Sequence, residues 1–212
     1  MGQINSFSFR QLAGHYVLLM NIPRERLRAY NSEFLHMEGD NALLTYGYID
    51  HHAGLSFEVL CFVKVHENGK YELRPGNNNI SFKIRYDGMV GDVFILPYDI
   101  SMAEYSNKVK MISDGYNHSD EVNEIRKFKE IDADRHPQYP DDVRALLFKD
   151  GVKTEIVWVR TNQIINGKIA GTLLNQPNSP LFGFNRGDTV TLVLIPAEGR
   201  MVPVVETADI YL

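Results

Sequence analysis

The chain has 212 residues and a formal net charge of −5, with 44% hydrophobic and 23% charged residues. These proportions are typical of a folded globular protein, and the length is sufficient for one large domain or two small ones. The acidic balance gives no electrostatic reason to expect nucleic-acid binding, because basic side chains are needed to neutralise a phosphate backbone. The single cysteine, Cys61, excludes an internal disulfide and a cysteine-based zinc site.

The apolar runs are short. Residues 16–20 form one of the longest, about five residues, whereas a membrane-spanning helix needs about twenty. The first residues contain neither the basic region nor the apolar core of a signal peptide. The sequence therefore predicts a cytoplasmic protein without membrane association.

The N-terminal part begins with a helix signal. Asn21 is a suitable cap, Pro23 would fall in the first turn, and Leu27, Tyr30 and Phe34 follow at helical spacing. This pattern predicts one helix that flanks the sheet described next.

Three dipeptides predict β-hairpins. Asn68-Gly69, Asp87-Gly88 and Asn166-Gly167 each lie between runs rich in β-branched and aromatic residues. A two-residue hairpin loop requires positive φ angles, which Asn-Gly and Asp-Gly adopt at little cost. The second hairpin would join residues 80–86 to residues 89–96. An antiparallel sheet is the expected result.

A second helix is expected after residue 117. Ser119 is a plausible N-cap, and Val122, Ile125 and Phe128 have the spacing of one buried side. Prolines then interrupt the chain before residue 141. We predict an α+β, mainly-β protein that comprises an N-terminal antiparallel β-rich domain (residues 1–117), a helix and linker (residues 118–140) and a compact C-terminal β domain (residues 141–212).

The sequence Asp50-His51-His52 is a candidate binding or metal site. Phosphoesterases with a DHH triplet use it to hold metal ions, but they add further aspartates from other strand ends, and no DxD-type motif precedes Asp50. The alternative is a polar loop between two strands. Adjacent residues at a strand end point to opposite faces, so we expect no shared metal.

A second candidate site comprises Asp132, Asp134 and His136. Two carboxylates and an imidazole could bind a metal ion or perform acid–base chemistry. We favour the alternative, in which these residues form turns in a solvent-facing linker next to Pro137 and Pro140. Neither a bound metal ion nor another cofactor is predicted.

Trp158, the single tryptophan, lies in a β-type run between Val157 and Val159 and is expected to be buried in a small barrel. The order W-V, G-x-L-x-N-x-P and G-D-x-V within residues 139–196 resembles a set of related bacterial domains of unknown function, some relatives of which are immunity proteins found beside secreted toxins. The matching residues are Trp158, Gly171, Leu173, Asn175, Pro177, Gly187 and Asp188. The loop over residues 178–185 is longer than in those domains. The resemblance implies a bacterial source and a small β-rich domain, and implies no chemistry.

No GxSxG, Walker-type, GxGxxG or HExxH motif occurs, and Cys61 lies in an apolar strand that is typical of a buried thiol. The leading hypothesis is a non-catalytic module that binds another protein, in the manner of an immunity or toxin-associated protein. One alternative is a metal-assisted hydrolase that uses Asp50, His51 and His52, or Asp132, Asp134 and His136. The other is a sensor of a small ligand with an aromatic-lined pocket between the two halves.

Overall fold

The computed structural model describes residues 1–29, 36–97 and 100–207, and it confirms an α+β, mainly-β protein. The chain forms two compact units, residues 1–117 and residues 118–212. Each unit contains its own β-sheet and its own apolar core. None of the helices within these residues is both long enough and apolar enough to span a membrane.

The first unit contains a six-stranded antiparallel sheet. Its strands are β1 (Tyr16–Met20), β2 (Ala42–Asp50), β3 (Gly54–Val65), β4 (Tyr71–Leu73), β5 (Lys83–Arg85) and β6 (Asp92–Leu96). The order is β4-β3-β2-β1-β6, and β5 pairs with β3. Strands β1 to β3 are almost continuously apolar because the sheet is covered on both faces, so that both sets of alternating side chains are buried.

The described residues of this unit also form three short α-helices: α1 (Phe9–Leu12), α2 (Arg24–Ala29) and α3 (Ser106–Gly115). The helix expected after Asn21 is therefore present as α2, but Asn21 does not cap it. The Asn21 side chain instead donates a hydrogen bond to Asp92 at 2.6 Å, and its φ angle is 54°. Leu27 is buried as expected, whereas Tyr30 and Phe34 lie outside the described residues.

A buried ion pair lies between β3 and α3. Glu58 accepts hydrogen bonds from the backbone N of Phe82 (3.1 Å) and from Ser81 (3.2 Å), and Lys108 Nζ lies 3.2 Å from its carboxylate. Lys108 also donates to the carbonyl oxygens of Val59 and Ile80. The side chains of Glu58 and Lys108 are 2% and 6% exposed, so the ion pair is shielded from solvent. Both charged groups also have hydrogen-bond partners other than each other.

The second unit begins with α4 (Asp120–Lys127), capped as expected by Ser119, whose Oγ accepts from the N of Val122. Val122 and Ile125 are buried, but Phe128 lies just past the helix and is exposed. Residues 118–140 pack within this unit, where Arg126 of α4 forms a bidentate ion pair with buried Asp141.

Five strands then close a barrel: β7 (Asp142–Lys149), β8 (Val152–Ile165), β9 (Lys168–Leu173), β10 (Thr189–Ala197) and β11 (Arg200–Val205). Neighbouring strands are antiparallel except β11 and β7, which are parallel and close the barrel. The interior is filled by apolar side chains such as Val143, Leu147, Val157 and Val159.

Two of the three predicted hairpins are confirmed. Asn166-Gly167 joins β8 to β9 with positive φ at both residues, and Asn68-Gly69 lies in the turn between β3 and β4. The prediction for Asp87-Gly88 is wrong, since this dipeptide lies in a 3₁₀ turn over Tyr86–Gly88. Its flanking segments pair elsewhere, β5 with β3 and β6 with β1.

Candidate functional site

Asp50, His51 and His52 lie at the turn between β2 and β3. Asp50 Oδ1 accepts from the backbone N of His52 and of Ala53, and its Oδ2 accepts from Arg85 at 3.2 Å. Burial raises the pKa of Asp50, but the two backbone donors and Arg85 outweigh it, so the pKa lies below its ordinary value. The carboxylate therefore organises a turn and binds an arginine.

The two histidine rings of this turn lie edge to face, with centroids 5.6 Å apart. Across residues 1–29, 36–97 and 100–207, no three His, Cys, Asp or Glu side chains are grouped as a metal site would require. The same unit contains Cys61, which is confirmed as a buried thiol. Burial raises its pKa to about 12, and its Sγ accepts a hydrogen bond from Tyr105 at 3.1 Å.

Asp132, Asp134 and His136 each bind different partners. Asp132 accepts from Arg135 at 3.1 Å, and Asp134 is paired with Arg144 and Arg200. His136 Nδ1 accepts from the backbone N of Gln138 and of Tyr139, both at 3.2 Å. The structure therefore does not bring these three side chains together around one point.

The expectation that this segment is a solvent-facing linker is wrong. Asp134 and Arg135 are buried, with residue exposures of 4% and 7%. Arg135 donates to the carbonyl oxygens of Pro140 (2.6 Å) and Ile125 (2.7 Å). The last turn of a helix leaves carbonyl groups without intrahelical donors, so Arg135 stabilises the end of α4 and anchors the following segment.

Trp158 is not in the barrel core, which corrects the expectation from its sequence context. Strand β8 alternates, so Val157 and Val159 point into the barrel and Trp158 points outward, where it is partly exposed. Its ring lies edge to face with His136 at 5.4 Å, and its backbone N donates to Asn175 at 2.7 Å.

Trp158 belongs to a larger outward-facing surface on three adjacent strands, which we call the barrel face. Arg144 lies opposite Trp158 across β7 and β8, Leu146 lies opposite Ile156, and Val204 of β11 lies beside Leu146. The barrel face comprises Arg144, Leu146 and Phe148 of β7, Ile156 and Trp158 of β8, and Arg200, Val202 and Val204 of β11. Because residues two apart on a strand share a face, these side chains form one continuous surface.

A groove of about 580 Å³ lies on the barrel face. Its lining is mostly apolar, and two of its aromatic and aliphatic side chains are open to solvent: Phe148 is 42% and Ile156 57% exposed. Asp134, Arg144, Arg200 and Glu198 add charge at the groove. An exposed apolar depression with a few polar groups at its margin is typical of a binding site.

The chain was compared with known proteins at the level of families, curated sequences and solved structures. No match was found in any of the three. The chemistry of the candidate site is therefore inferred from the geometry of its own residues.

Asp134 determines the electrostatics of the groove. Its side chain is 3% exposed, and its Oδ1 accepts from Arg144 at 2.9 Å. Its Oδ2 is in close contact with Arg200, whose side chain is 43% exposed, as is that of Arg144. A buried carboxylate thus holds two solvent-accessible guanidinium groups in fixed positions at the surface.

Proposed function

We propose that this protein is a non-catalytic module that binds another protein through the barrel face. The observation that carries the proposal is the groove, where Phe148 and Ile156 are exposed beside two oriented arginines. Trp158 lies outside the groove lining, next to Ile156 on the outward face of β8. Tryptophan and arginine are enriched among the residues that dominate binding energy at protein interfaces, and buried aromatic anchors commonly dock on such apolar surfaces.

The acidic residues of the two candidate sites also favour binding over hydrolysis. Asp50 is occupied by two backbone donors and Arg85, and Asp134 is occupied by Arg144 and Arg200. A general base must be free to take a proton from substrate or water. These carboxylates instead have structural partners.

The resemblance of residues 139–196 to bacterial domains with immunity-protein relatives supports a narrower version of the proposal. In this version the protein acts in the bacterial cytoplasm, binds neither membrane nor nucleic acid, and the partner is a secreted toxin that the barrel face recognises. Trp158 is both a residue of that resemblance and a member of the barrel face.

Site-specific photo-crosslinking in the source cell tests the proposal. A photoreactive phenylalanine analogue at position 156 should give one discrete crosslinked protein, and the same analogue at Ile165 should not. Ile165 is a matched control, because it is an exposed isoleucine of the same strand but lies outside the barrel face. The purified partner should then bind wild-type protein and fail to bind Ile156→Asp.

Equal crosslinking at positions 156 and 165, or a partner that binds Ile156→Asp as well as wild type, would reject the barrel face as the binding surface. A concentration-dependent dimer that Ile156→Asp converts to a monomer would identify the partner as a second copy.

A further inference from the structure

The two arginines at the groove retain hydrogen-bonding capacity. Arg144 uses Nε and Nη2 on Asp134, and Arg200 uses Nη1 and Nη2. Arg144 Nη1 and Arg200 Nε have no acceptor among the residues that the structure describes. Because Asp134 is buried and fixes both side chains, these donors are already oriented before any partner binds.

We propose that the groove receives an acidic side chain of the partner protein, with its carboxylate on Arg144 and Arg200 and an adjacent apolar side chain on Leu146 and Ile156. This inference rests on the proposed function, and it specifies the chemistry of the partner. The guanidinium groups of Arg144 and Arg200 share the single carboxylate of Asp134, so these three side chains together carry one net positive charge. A second carboxylate would complete the pairing through charge-assisted hydrogen bonds.

The apolar floor next to the arginines distinguishes a protein side chain from an isolated anion. Leu146 follows Arg144 on the same face of β7, and Val202 follows Arg200 on the same face of β11. An acidic residue with an apolar neighbour would satisfy both parts of the groove at once. The groove volume of about 580 Å³ is within the range of roughly 300–1,000 Å³ of sites that enclose a small ligand or a few side chains.

Charge argues against a second copy of this chain as the occupant. A symmetric dimer through the groove brings four arginines together, two from each copy, and the acidic groups that the groove offers them are Asp134, which is already paired, and one Glu198 per copy. Like charges at an interface are unfavourable.

Glu198, on the turn between β10 and β11, also lines the groove and reduces the attraction for an acidic partner.

Nuclear magnetic resonance titration with two blocked tripeptides tests the inference. The probes are acetyl-leucine-glutamate-leucine-amide and its glutamine counterpart, which differ only in charge. The glutamate peptide should shift the amide signals of β7, β8 and β11 and bind about fivefold more tightly than the glutamine peptide at low salt. Raising the salt concentration should reduce this preference.

Substitutions at the groove sharpen the test. Arg144→Gln and Arg200→Gln should each lower the affinity for the glutamate peptide to that for the glutamine peptide. Arg186→Gln, an equal charge change at an exposed residue outside the groove, should preserve the preference. Glu198→Asn removes an acidic group from the groove and should increase the affinity for the glutamate peptide about twofold. A thermal melt of each variant verifies that it is folded.

Equal affinity of the two peptides, shifts outside the barrel face, or no binding of either peptide would overturn the inference. Equal affinity that still depends on Ile156 would overturn only the acidic specificity and leave the binding surface intact. If the photoreactive analogue at position 156 captures no protein in the cell, the proposed function itself is rejected.

Discussion

Glu58 in the first unit and Asp134 in the second are both buried carboxylates with basic partners, but those partners differ in their exposure to solvent. In the first unit Glu58 is paired with Lys108, whose side chain is 6% exposed and whose ammonium group also donates to two backbone carbonyls. In the second unit Asp134 is paired with Arg144 and Arg200, which are 43% exposed.

The difference indicates two roles for similar chemistry. A closed pair such as Glu58–Lys108 uses its hydrogen bonds within the fold, so it connects α3 and the segment around Ile80 to β3. An open pair such as Asp134 with its arginines fixes donors that still face solvent. The first arrangement serves folding, and the second prepares a surface for a partner.

The largest expected effect is that of breaking the closed pair. Lys108→Met removes the counter-ion of the buried Glu58 side chain, so the free energy of unfolding should fall by about 3–5 kcal/mol, as measured by urea denaturation. Lys110→Met is the matched control, since Lys110 lies on the same helix with a 75% exposed side chain, and its loss should change stability by less than about 0.5 kcal/mol. Similar values for the two variants would contradict an enclosed pair.

An intermediate effect is expected at Trp158. Because its ring is only partly buried outside the barrel, Trp158→Ala should lower the free energy of unfolding by about 1–2 kcal/mol, less than the roughly 2–5 kcal/mol expected for Leu147→Ala inside the barrel. Urea denaturation of both variants gives the comparison. A loss at Trp158 that equals or exceeds the loss at Leu147 would place the indole in the core after all.

Neutralising the open pair should have an effect of about the same size as the one expected at Trp158. In Asp134→Asn both guanidinium groups can return to water, because their side chains are already accessible, so the loss should be about 1–2 kcal/mol. Destabilisation as large as that of Lys108→Met would show that the open pair serves folding in the same way as the closed one.

The sequence was informative where the determinants are local. Asn166-Gly167 closes its hairpin because the two residues themselves supply the positive φ angles, and Ser119 caps α4 through a contact only three residues away. Asp87-Gly88 has the same hairpin chemistry, but long-range pairing of β5 with β3 and of β6 with β1 decides the structure there.

The candidate site was largely hidden for a similar reason. Residues 145–148 of β7 are all apolar, so this run does not itself indicate a buried face, and closure of the barrel determines that Ala145 and Leu147 face inward while Leu146 and Phe148 face outward. Asp134 was singled out in the sequence as an ionisable residue. Its partners Arg144 and Arg200 lie 10 and 66 positions away, and no local pattern connects them.

The most direct test of the barrel face is the affinity of the partner captured at position 156, measured by titration calorimetry for wild type, Ile156→Asp and Ile165→Asp. The structure predicts that Ile156→Asp weakens binding at least about tenfold, because a charge would be buried against the partner, while its melting temperature stays near that of wild type. Ile165→Asp should bind as wild type does. Equal affinity of all three proteins would contradict the account.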